Sequence, residues 1–178
     1  MILAGKRLLI STPESPSKSK KFKEDEEVPS KCKSQLWIEY TDKLKTDFVE
    51  PLNGRWLLFF KTSTLDTKWK LAKQLYDQNK LENIISMKVS TSMPNPKSTN
   101  PEEGVIEMHV GRLLIVDNDI SDEELIIEQG KQLVKLFEYR SKQGKMYYKD
   151  ITSIKTSKKN YKMTVDCPRL DEKTQHNK

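Results

Sequence analysis

Three tryptophans, two histidines, two cysteines and one acidic run are the residues of this chain whose types invite a chemical reading. Trp37-Ile38-Glu39 has the most suggestive spacing. Side chains alternate along an extended chain, so Trp37 and Glu39 stand on one side, an aromatic plane beside a carboxylate. Trp56 and Trp69 read differently. Trp56 opens the apolar run "RWLLFFK", a buried strand, and Trp69 falls in step with Ala72 and Tyr76 on one helical face. Both are expected in the core, where their area alone makes them stabilising. No Gly-rich phosphate loop, no Gly-x-Ser-x-Gly elbow and no His/Cys nucleophile pair occurs, so a non-enzymatic protein is expected. His109, His176, Cys32 and Cys167 make no zinc-ligand spacing. The acidic run "DNDISDEEL" suggests a metal at first sight. Yet Asp122, Glu123 and Glu124 fall in the first turn of a helix, where the dipole attracts negative charge, and the glycine of a calcium loop is missing. Neither a metal nor a cofactor is expected.

The elements that must position these residues follow from period and punctuation. Order is expected from about "LWIEY", residues 36–40. Asn53-Gly54 turns into the strand Arg55–Lys61, and Thr64 or Asp66 caps a helix carrying Trp69, Ala72, Leu75 and Tyr76, which runs out near Asn79. Residues 83–92 are β-branched and read as a strand, and the proline-rich 93–104 as a loop. Val105–Val110 and Leu113–Asp117 are two short strand candidates. Ser121 and Glu124 form a capping box for a helix that turns Ile126, Leu133, Leu136 and Phe137 inward. "KMYYKDITSI" adds a strand or strand pair, and "NYKMTVD" an edge strand. Strand, helix, strands, helix, strand implies an α+β fold, a sheet with helices on one face.

The chain has 178 residues and a formal charge of +6, from 32 basic less 26 acidic side chains. Residues 1–33 hold eight basic and five acidic groups, and 155–178 hold seven and three; the body, 34–154, is left with seventeen against eighteen. The basic excess therefore lies at the ends. Residues 1–34 are expected to be a disordered tail, 35–166 a single domain, and 167–178 a second tail, because the polar, proline-punctuated ends cannot bury enough apolar surface to offset ordering. Thr12-Pro13 and Ser15-Pro16 have the form of proline-directed phosphorylation sites. No stretch is long enough to read as a membrane span. A cytoplasmic monomer is expected, with Lys18, Lys20, Lys21 and Lys23 as the residues of an alternative nuclear-import patch.

Five segments in order carry a resemblance: Gly54-Arg55-Trp56, Asp66 to Trp69, Lys88-Val89-Ser90, Asp117 to Glu124, and Tyr147 to Asp150. With these, residues 36–160 resemble a family of uncharacterised proteins typified by the basophilic leukaemia-expressed protein. That family is similar in fold to the mRNA-cap-binding translation initiation factor 4E. "YYKDI" lacks the proline of the family's Tyr-Lys-Pro-Asp-Ile, and "GVIEMHVG" looks like extra material. The resemblance implies a curved antiparallel sheet backed by helices, and no established activity.

Binding a methylated guanine cap takes two aromatic planes around a cationic base, a carboxylate on its N–H edge, and Lys or Arg on the phosphates. Trp37 and Glu39 are similar to the aromatic and the acid; Tyr40 or Phe48 would have to supply the second plane. The resemblance puts Lys88 on the strand nearest the ligand cleft, with Arg112, Lys149, Lys155, Lys158 and Lys159 as further phosphate candidates. Two functions stay open. One is a binding module that takes a nucleotide or an RNA end on its concave sheet. The other is a protein-interaction adaptor that docks a protein partner on its helical back, around Trp69, Tyr76 and Phe137, under control of Thr12 and Ser15.

Overall fold

Alternation along Gly54–Lys61 (β2) sorts the whole molecule into two faces. Trp56, Leu58 and Phe60 turn to one face and are buried, while Arg55, Leu57 and Phe59 turn to the other. The computed structural model describes residues 28–41, 54–96, 100–111, 122–150 and 163–170. Around β2, the strands Trp37–Thr41 (β1), Ile84–Ser90 (β3), Glu103–Val110 (β4), Lys145–Asp150 (β5) and Met163–Asp166 (β6) complete a six-stranded sheet. Its order is β1-β3-β4-β2-β5-β6 and every pairing is antiparallel. Thr62–Asp77 (α1) and Asp122–Leu136 (α2) both pack on the face of Trp56. This is the expected α+β fold. β4 takes up the candidate Val105–Val110; Leu113–Asp117 and Ser121 of the capping box lie outside the described residues.

α1 buries Leu65, Trp69, Ala72, Leu75 and Tyr76, the stripe its spacing predicts. Its start differs from expectation. The helix begins at Thr62, directly off β2, and neither Thr64 nor Asp66 caps it. The Thr62 N–H is satisfied instead by the Glu102 carbonyl at 2.9 Å. Asp66 is engaged elsewhere: its carboxylate accepts from the backbone N–H and hydroxyl of Ser30.

That contact corrects the expected tail boundary. Residues 28–34 pack against the domain, with the free thiol of Cys32 buried in the core and Ser92 N–H donating to the Pro29 carbonyl. At the other end, Cys167 N–H donates to the Gly144 carbonyl and Leu170 N–H to that of Ser141, so residues 167–170 are also tied in. A few backbone bonds to the sheet's periphery suffice to hold segments whose average composition reads as unfolded.

α2 approaches the sheet through a glycine. A Cβ at Gly130 would lie 2.6 Å from the Cζ2 and Cη2 atoms of Trp56 and 2.7 Å from Val165. The Trp56 indole N–H donates to Gln129 Oε1 at 3.1 Å, and the Gln129 amide donates to the Glu82 carbonyl at 2.8 Å. Tyr148 tilts against the same indole at 5.1 Å between centroids. Gly130→Ala should therefore lower the denaturation midpoint. Overpacking on the order of 1–3 kcal/mol exceeds the helix-propensity gain of about 1 kcal/mol, and chemical denaturation of the full chain measures which effect wins.

Candidate functional site

With both helices on one face, the opposite face of the sheet is free of them, and the ladders place its side chains in rows. Trp37, Ser90, Val105 and Phe59 follow one row across β1, β3, β4 and β2. The next row is Glu39, Lys88, Glu107, Leu57 and Tyr147, and the third is Thr41, Ser86, His109, Arg55 and Lys149. Trp37 and Glu39 do share a side, with Ile38 buried between them, and Glu39 lies directly across from Lys88. Three predicted site residues thus meet on two neighbouring strands, and Lys149 joins them four strands along, beside Arg55. Arg112, Lys155, Lys158, Lys159, Thr12 and Ser15 lie outside the described residues.

At the middle of this face sits a residue not singled out from the sequence. Glu107 is 95% buried in the central strands, and one of its oxygens receives both Arg55, at 2.7 Å, and Lys88, at 3.2 Å. His109 Nε2 stands 3.5 Å from the same oxygen, an electrostatic contact, while its Nδ1 meets the Ser86 hydroxyl at 3.1 Å. Burial pushes the Glu107 pKa up, but His109, Arg55 and Lys88 together outweigh it and hold the carboxyl below the ordinary 4.5. Lys88 is shared a second way. Its ammonium lies 4.5 Å from the centroid of the half-buried Trp37 ring, a cation–π contact. The signal in the sequence was the alternation of "IEMH", which turns Glu107 and His109 to one side; only the strand order shows that this side is central.

The second aromatic plane expected of Tyr40 is on the wrong face. Tyr40 packs edge-on against Trp69 and Tyr76 and donates its hydroxyl to Asp77 at 2.9 Å. Phe48 lies outside the described residues. The surface named for partner docking is also gone, because Trp69, Tyr76 and Phe137 are at most 1% exposed. The exposed large apolar residues among those described are Leu36 and Leu170, neither of them on a helix. Among the described residues no cluster of three His, Cys, Asp or Glu could hold a metal ion, and no helix is long and apolar enough to cross a membrane.

A carboxylate with a lowered folded-state pKa adds stability above its unfolded value, and that stability is lost as pH falls through the folded value. Glu107→Gln should lose on the order of 3 kcal/mol at neutral pH, because Arg55 and Lys88 are left without their partner. The acid limb of its stability curve, below the ordinary 4.5, should be flatter than in the parent chain. Urea melts across acid and neutral pH check both.

No family model matches this sequence, and no curated protein matches it. Among solved structures, the chain is similar to the eIF4E-3 of Ascaris suum, crystallised in complex with an m2,2,7G cap. Identity is 12%, the match covers 72% of this chain and 68% of that one, and the TM-score is 0.49. The assignment of the fold stands on the strand order and helix packing themselves.

Proposed function

We propose that this protein is a non-enzymatic binding module whose sheet face opposite α1 and α2 takes a phosphate-bearing ligand, a nucleotide or an RNA end. The observation that supports it is the cluster around Glu107. Arg55 and Lys88 converge on a single carboxylate oxygen, and Lys149 lies directly across from Arg55. Arg55, Lys88 and the more distant Lys149 stand against two carboxylates, the buried Glu107 and the exposed Glu39, an excess of one positive charge among these five residues. Beside it stands a half-buried indole with an exposed acid, Glu39, two residues on. Trp37 supplies a stacking plane, Glu39 an acceptor for a base edge, and Lys88, Arg55 and Lys149 the phosphate contacts. Cap binding in the manner of the initiation factor is not part of the proposal, since Tyr40 is turned to the core. Membership of the basophilic leukaemia-expressed family belongs to the same reading; four of its motifs fall on β2, α1, β3 and β5, where ordered elements bear them.

Tryptophan fluorescence tests this without a label, since Trp56 and Trp69 are buried and Trp37 is not. Titration with GTP, 7-methyl-GTP and a short RNA should give saturable quenching that disappears in Trp37→Ala. Lys149→Ala should weaken binding roughly tenfold, about 1.4 kcal/mol for one charged contact, and added salt should weaken it further. Absence of quenching by all three ligands in the folded chain sinks the proposal.

A further inference from the structure

We infer that the ligand of this face is a single-stranded nucleic acid of several nucleotides laid across the strands, with a second base received between Phe59 and Tyr147. This rests on the reading above and adds to it a second site, at the far end of the same face. A cleft of about 390 Å³ opens there, lined by Phe59, Tyr147, Tyr139, Asn100, Arg140 and Lys142 among others. Its size lies within the range of small-molecule sites.

The ladder sets the spacing of its walls. Leu57 pairs with Tyr147, so Phe59, two residues on, is the diagonal neighbour of Tyr147 on the same face. The β2–β5 ladder ends at the Leu57–Tyr147 pair, and beyond it the cleft opens beside the two aromatic side chains, with a volume that admits a planar base. Both walls are half-buried, hence anchored yet accessible. Tyr139 forms the buried floor, with its hydroxyl accepting from the Phe59 N–H at 3.2 Å. Burial pushes its pKa up to about 12, so the floor carries no charge to repel a phosphate. At the rim, the exposed Lys142 bridges to Glu103 at 3.1 Å, and Arg140 is exposed beside it.

Trp37 and Phe59 occupy the same row three inter-strand steps apart, a distance of about 14 Å at 4.7–4.9 Å per step. One base cannot touch both. Lys88, in the adjoining row on β3, lies between them, and Arg55 stands further along β2, two rows from Phe59. Aromatic residues with a cation among them on an open sheet face are an arrangement that stacks bases of a single strand, and it takes several nucleotides to span these two.

The experiment uses the full chain and 5′-labelled oligouridylates, from the dinucleotide to the octanucleotide, read by fluorescence anisotropy. The octanucleotide should bind about tenfold or more tightly than the dinucleotide, because it adds a stacking contact at the second site. That gain should be lost in Tyr147→Ala and in Phe59→Leu, which keeps the apolar bulk but removes the plane; thermal melts confirm that both variants fold. Affinity that does not grow with length, or a gain that survives in both variants, overturns the inference. So does a duplex that binds as well as the single strand, or an acidic peptide that displaces the octanucleotide from the cleft alone. Mononucleotide quenching, compared between the parent and Trp37→Ala, reports on the first site separately, so a failed span and a failed Trp37 site give different results.

Discussion

The burial of Trp56 is the constraint on which the rest of the molecule depends. Its ring is fully enclosed on the central strand β2, with Gly130 of α2 and Tyr148 of β5 against it. Its one polar atom is satisfied through Gln129, which passes the connection on to the Glu82 carbonyl. A buried indole N–H left unpaired would cost about 1–3 kcal/mol, so the tryptophan needs the glutamine as much as the helix needs the ring. Because the period of a strand is two, fixing Trp56 inward also fixes Arg55 and Phe59 outward. The outward face is therefore set from the opposite side of the sheet. A slip of one residue would bury the arginine and expose the indole.

The outward face has its own internal constraint. A carboxylate as enclosed as Glu107 is tolerated only when its charge is matched. Arg55 from β2 and Lys88 from β3 reach it because β4 lies between those strands. The same arrangement makes register an electrostatic matter as well as an apolar one: only with Lys88 opposite Glu107 and Arg55 opposite His109 do these charges converge. The two faces thus specify one pairing by independent means, packing on one and charge on the other.

These two kinds of constraint were not equally legible in the sequence. The inward face could be read directly. The alternation of "RWLLFF", the helical steps of Trp69, Ala72 and Tyr76, and the inward positions Ile126, Leu133 and Phe137 are local patterns, and the α+β architecture follows from their order. The start of α1 could not be read, because Asp66, an apparent cap, is recruited by Ser30 from 36 residues away. The ends escaped for the same reason: Cys32 and Cys167 look stranded in polar sequence, and only tertiary hydrogen bonds tie them in. At the site, Trp37 and Glu39 were visible through alternation, and Lys88 through resemblance. Glu107, Arg55 and His109 were not, since their meeting depends on β4 inserting between β3 and β2, an order no local pattern encodes. Tyr40, one residue beyond Glu39, falls to the core by the same alternation that puts Trp37 and Glu39 outward.

The contact between Lys88 and Trp37 bears on how such a face is kept ready. An exposed hydrophobic ring is a liability, and an ammonium resting on it at 4.5 Å keeps the indole oriented while covering one of its faces. At a partly exposed site that contact is worth about 0.5–1 kcal/mol, whereas stacking a base on an aromatic ring is worth about 1–3 kcal/mol. Under the proposed function, a base arriving at Trp37 would therefore outcompete the lysine for the ring. The displaced ammonium would keep its ion pair with Glu107, at 3.2 Å. Arg55, at 2.7 Å, continues to neutralise the buried carboxylate meanwhile, so releasing Lys88 does not strand a charge. The weak contact is thus the one a ligand would displace, and the strong one, between Arg55 and Glu107, is the one that would remain.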